Sequence, residues 1–138
     1  MTADSQLEVQ SAVISALQAD STVVGLLAQG ASSVLDHVPQ STPYPYVVVG
    51  EATTAPFDSK TEDGMDQTIT LHAWSTFNSM SEIKEIMAAV VEVLDRANIS
   101  VTGHDLIDIS FLSSEAKLEE DGVTRHGIQK FRVLTEAV

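Results

Sequence analysis

The stretch Gln67-Thr68-Ile69-Thr70-Leu71-His72-Ala73-Trp74-Ser75 alternates with a period of two. Ile69, Leu71 and Ala73 fall on one side, and Thr68, Thr70, His72 and Trp74 on the other. Successive side chains of an extended chain point to opposite faces, so this is a half-buried strand. Upstream, Tyr46-Val47-Val48-Val49 is a short β-branched run. It reads as a strand buried on both faces or at a sheet centre, continuing through Thr53-Thr54. The link between them, Ala55 to Asp66, is polar and contains Pro56 and Asp63-Gly64. It is long for a hairpin, which predicts an exposed excursion. The Pro39 to Pro45 stretch reads as a rigid extended lead-in to the first strand.

Downstream, Leu106 to Leu112 predicts a third strand, with Ile107, Ile109 and Phe111 opposing Asp108 and Ser110. Val123 to Leu134 predicts a fourth, with Phe131 and Val133 on one face. Asp121-Gly122 suits the turn between them, because glycine adopts positive φ without steric cost. Between the strand pairs, Ser79 and Glu82 have the spacing of a capping box. Ile83, Ile86, Met87, Val90, Val91 and Leu94 follow at helical steps, predicting a helix that ends near Ala97-Asn98 with a Glu92–Arg96 pair on its surface. Ser5 and Glu8 repeat the capping-box spacing before Val9, Val13, Ala16 and Leu17, which share a face with Ile14 beside it. Asp20-Ser21 can end that helix and cap a short second one through Val23, Val24, Leu26 and Leu27, with Gly30 as its terminator. The order predicts an α+β fold: an antiparallel sheet of about four strands with helices packed on one face, residues 1–138 forming a single domain.

Composition narrows the function classes. Twenty Asp and Glu against seven Lys and Arg give a formal charge of −13. Tight binding of duplex nucleic acid needs clustered cations, so it is disfavoured. No cation precedes Lys60. Cysteine is absent, which removes disulfides, thiol catalysis and thiolate metal sites. No apolar run approaches the ~20 residues of a membrane span, and Met1 to Gln10 lacks the order of a signal peptide. The expectation is a soluble protein used inside a cell, with 43% hydrophobic residues, enough to fill one core.

Candidate chemistry is sparse. His37, His72, His104 and His126 fall on four different predicted elements, without the spacing of a zinc site. His104-Asp105 and His72 near Trp74 have no nucleophile beside them in sequence. Glu62-Asp63-Gly64-Met65-Asp66 lacks the alternating acids and distal Glu of a calcium loop, and reads as a solvated loop. Gly25, Gly30 and Gly50 form no phosphate cradle. Met80 and Met87 read as core. Trp74 fits buried packing and an interface anchor equally well. No catalytic residue, metal ligand or cofactor-binding residue is assigned.

The same residues resemble a structural family. His37-Val38-Pro39-Gln40 and Pro43-Tyr44-Pro45-Tyr46-Val47-Val48-Val49-Gly50-Glu51 are similar to the opening strand of phage tail-completion proteins, the tail terminators of long-tailed phages and phage-derived gene transfer agents. The likeness continues through Lys60-Thr61-Glu62-Asp63-Gly64, Leu71-His72-Ala73-Trp74-Ser75, Glu82-Ile83-Lys84 and Ile86-Met87. It closes with Ser113-Ser114-Glu115, Asp121-Gly122-Val123-Thr124-Arg125-His126-Gly127 and Phe131-Arg132. The order and spacing of these pieces, over residues 7–136, carry the resemblance.

The resemblance implies a homo-oligomeric, hexameric ring that caps the tail tube and joins it to a head-completion or neck protein. It implies a place at the head–tail junction of a virion or phage-like particle assembled in the bacterial cytoplasm. DNA would pass through the ring without specific binding, and no membrane, enzyme activity or cofactor is implied. Another neck or adaptor component is the alternative. A ring needs a heterologous interface that closes on itself. The candidates for subunit and tube contacts are Thr70, His72 and Trp74 on the solvent side of the sheet, strand edges, and an arm holding Phe57, Lys60, Glu62, Asp63 and Met65, with Phe57 as apolar anchor. Acids facing the hole would repel passing DNA; otherwise the charge serves solubility.

Overall fold

The computed structural model of the chain describes residues 4–57 and 64–138. Three helices, α1 (Gln6–Ala19), α2 (Ser21–Leu26) and α3 (Ser81–Leu94), accompany five strands: β1 (Val34–Leu35), β2 (Tyr46–Pro56), β3 (Gly64–Ser75), β4 (His104–Leu118) and β5 (Arg125–Ala137). The sheet order is β1-β2-β3-β5-β4. The expected α+β sheet is present, with one addition: β1 pairs with β2 in parallel, Val34 against Val47. Two residues in a parallel pair leave no periodicity to read.

Helices α1 and α3 pack on one face of the sheet. Val9, Val13 and Leu17 recur at four-residue steps on α1 and are fully buried. Ile83, Ile86, Val90 and Leu94, at steps of three and four, are fully buried on α3. They meet Val47, Val49, Ile69, Leu71, Ile109, Phe131 and Val133 from the sheet. Each such side chain contributes about 1.5–3 kcal/mol when fully removed from water. The Gln129 amide donates to the Met87 carbonyl (2.9 Å) and fastens β5 to α3.

The helix ends depart from sequence expectation, because other partners compete for the capping side chains. Ser5 occupies the cap position of α1, but its hydroxyl bonds that of Thr135 on β5 (2.8 Å). Met80 holds the cap position of α3; the Glu82 carboxylate accepts from the Ser75 hydroxyl (2.6 Å). Asp20 does cap α2, accepting from the Val23 N–H (2.9 Å). Gly30 does not terminate α2, which stops at Leu26; it opens a short 3-10 turn with φ of +58°. Helix α3 ends at Leu94, so Arg96 (φ +60°) lies outside it and bonds Asp108 (3.2 Å), not Glu92.

The strands are longer than their alternating cores. Ala55 pairs with Asp66 and Pro56 with Met65, so much of the expected excursion is ladder, with residues 58–63 left outside the described part. Strand β4 runs to Leu118 and carries two bulges, between Leu106 and Asp108 and between Phe111 and Ser113. The first puts Leu106 opposite Thr135 and turns Ile107 outward, correcting the shared face expected for Ile107, Ile109 and Phe111. The Pro39 to Pro45 stretch is not simply extended: the Thr42 N–H bonds the Pro39 carbonyl (3.3 Å) in a turn with Ser41 at positive φ. Gly122 (φ +72°) makes the β4–β5 turn as expected, and Asp121 accepts from the N–H groups of Val123 (2.9 Å) and Thr124 (2.8 Å).

Candidate functional site

The sheet face away from the helices follows from register. Tyr46, Trp74, His126 and Lys117 lie in one row across β2, β3, β5 and β4; Val48, His72, Ile128 and Glu115 lie in the next. The first row is aromatic. The Trp74 and His126 rings stack with centroids 3.7 Å apart and planes at 9°. Tyr44 packs on Tyr46 at 5.2 Å. Gly50, in the β2 irregularity between Val49 and Ala52, makes room for the second row: a Cβ there would lie 3.0 Å from the His72 ring.

His72 and His126 were expected on separate elements; the β3–β5 register brings them together. His72 Nδ1 lies 2.7 Å from His126 Nε2. Glu51 Oε1 reaches His72 Nε2, and Glu119 Oε1 reaches His126 Nδ1, each at 2.8 Å. The His72 hydrogen bond holds Glu51 below the usual carboxylate range. Burial pushes His126 down, opposed by its hydrogen bond to Glu119. At the far end of the same face, Arg132 grips Asp66 with two bonds (3.0 and 2.8 Å), which lowers the Asp66 carboxyl.

Burial pushes the Tyr46 phenol up to about 12, helped by the neighbouring Tyr44. A raised acid favours the protonated folded form. Its stabilisation is complete below about pH 10, the ordinary tyrosine value, and is lost as pH rises toward 12. We expect one of the two tyrosine absorbance steps at about pH 12, and Tyr46→Phe to remove that step.

The sequence-derived interface candidates fall in three places. Thr70, His72 and Trp74 do share the open face, but Thr70 is buried and the other two are half-buried. Met65 lies toward the helix side, opposite Thr135. Phe57 follows β2, its N–H bonding the Gly64 carbonyl (2.8 Å), with its side chain exposed. Lys60, Glu62 and Asp63 lie outside the described residues. His126 was missed as a site residue. Its equal parity with Trp74 across two alternating strands was the available signal, and it needed the register.

Strand β4 forms the outer edge of the sheet. Its first half is blunted: the Ile109 carbonyl accepts from the Arg96 N–H (2.8 Å), and the Phe111 N–H donates to Asp95 (2.9 Å). From Leu112 to Leu118 no strand among the described residues covers the outer edge, and both leucines are about half exposed. A shallow groove lined by Met87, Ala88, Val91 and Ala116 runs beside this segment, against α3.

Among the described residues, no cluster of three or more His, Asp or Glu has the geometry to hold a metal ion. No described helix is long and apolar enough to cross a membrane. The sheet face away from the helices is thus a mixed aromatic surface, and β4 gives the sheet a long edge. The chain belongs to the tail completion protein gp17 family, whose model matches residues 11–136. The tail completion protein gp17 of Bacillus phage SPP1 is 29% identical over 106 residues, covering 77% of this chain and 78% of that protein. A chain in a solved structure described as the virion of a native gene transfer agent particle shares the fold, with a TM-score of 0.88 and 24% identity over 99% of this chain and 100% of that one.

Proposed function

We propose that this protein is a tail terminator: copies of it close into a hexameric ring on the finished end of the tail tube and join the tube to the head or neck. Family membership supports a role in completing a tail. The relatedness to a phage tail completion protein supports a place in a virion or phage-like particle. The single structural observation that carries lateral assembly is the uncovered outer edge of β4 from Leu112 to Leu118. An unpaired edge offers backbone donors and acceptors to a neighbouring subunit, and a heterologous contact of this kind closes into a ring at a suitable rotation. The open face with Thr70, His72 and Trp74, and the arm from Phe57 through Lys60, Glu62 and Asp63 to Met65, are the remaining contact surfaces in this reading. The subunit acts by shape, without catalysis, and DNA passes through the ring without specific binding.

The test is tube assembly with and without the purified protein. A terminator binds tube ends and limits tube length. Tubes of unchanged length, with no protein at their ends, would sink the proposal; binding only to the head side would instead favour a neck adaptor.

A further inference from the structure

Three contacts run in line across the open face: Glu51 to His72, His72 to His126, and His126 to Glu119. Ionised carboxylates only accept, so each outer contact uses one ring proton. Two neutral imidazoles carry one proton each. Both would then point at carboxylates, leaving two lone pairs face to face across 2.7 Å. A third proton resolves the contact. We propose that His72 and His126 form a proton-binding site that holds three ring protons between two carboxylates, with the imidazolium at His72. His72 then donates from Nε2 to Glu51 and from Nδ1 to His126 Nε2, while neutral His126 donates from Nδ1 to Glu119.

The surroundings favour this arrangement over its alternatives. The His126 side chain is the more enclosed ring, 10% exposed against 18% for His72, and burial disfavours its charged form. Glu51 is 69% exposed and held in its ionised form by His72, so the extra proton belongs on the ring. Other charged or titratable groups face the site from each neighbouring strand. Lys130 on β5 acts on Glu51, Lys117 on β4 opposes His126, Glu115 on β4 opposes Ile128, and Tyr46 on β2 flanks Trp74. The two lysines oppose the added charge, and the carboxylates of Glu51 and Glu119 offset them.

Loss of the third proton opens the exposed end first. Neutral His72 keeps its Nδ1 proton toward His126, and Glu51 swings into water. On the acid side, protonating His126 sets two imidazoliums against each other. The complete chain therefore exists only between these two limits. The site stands whether or not the subunit forms a ring.

Imidazole ¹H–¹⁵N NMR of the full chain reads the protons on each ring directly. Fluorescence of Trp74, the sole tryptophan, follows the ring stacked on it in parallel. The expected result is a pH range in which His72 carries two ring protons while His126 carries one. Glu51→Gln, which removes a charge-assisted hydrogen bond, should lower the pH at which His72 loses its second proton. His126→Phe, which keeps the stack on Trp74 but removes the acceptor, should lower it too. Two independent, mutually repelling histidines predict the opposite sign for His126→Phe. A midpoint that rises or stays put in either folded variant overturns the site; if His126→Phe fails to fold, the ¹⁵N–¹⁵N coupling across the His72–His126 contact decides instead, and its absence while His72 holds two ring protons overturns the site.

Discussion

Phe131→Ala is expected to cost about 3–5 kcal/mol, a large share of the ~5–15 kcal/mol that holds a domain of this size together. Phe131 is completely buried and is the largest such side chain of the core. It sits on the helix side of β5, between Ile69 of β3 and Phe111 of β4, whose ring centroid is 5.6 Å away. Its removal takes apolar surface from the junction of three strands and leaves a void that the sheet, pinned by ladders on both sides, cannot collapse. Urea unfolding followed by Trp74 fluorescence measures the loss as a lower midpoint at unchanged slope. Phe111→Ala, at a position 36% exposed on the edge strand, should cost less than half as much. Equal losses would mean that the edge of the sheet is packed as tightly as its centre.

Placing lysine at both Leu112 and Leu118 is expected to abolish capping of tube ends while leaving the subunit folded. Both side chains are about half exposed on the uncovered part of β4, so the subunit should lose no more than about 0.5 kcal/mol per site. A charged edge strand resists pairing with another edge, the device by which natural sheets stay apart. The prediction rests on the terminator reading. Unfolding midpoints near wild type, together with tubes that grow past their normal length, are the expected pair of results. Normal capping by the double variant would move the subunit contact away from β4.

Periodicity made most of the fold legible. Parity along β3 separated Ile69, Leu71 and Ala73 from His72 and Trp74, and the structure keeps that division. Parity also overrides chemistry: Gln67 shares the apolar side and is buried with it. The steps of α1 and α3 marked their buried faces, and Asp121-Gly122 marked its turn. Capping failed at Ser5 and Glu82 because both are taken by strand residues, Thr135 from the far end of the chain and Ser75 from the strand just before α3. The β4 bulges escaped because an inserted residue breaks the very period used to find a strand.

The candidate site was less legible. His72 and Trp74 could be placed together, two residues apart on one strand, but His126 is fifty-four residues from its partner His72. Outside the bulges of β4, the chain by itself determined which residues face in and which face out, because backbone geometry gives each element its own local period. Only the tertiary structure decided which outward residues meet, because strand order and register are set by packing of the whole sheet against its helices. The stacked rings, the contact between two histidines and the outer edge of β4 all belong to that second kind.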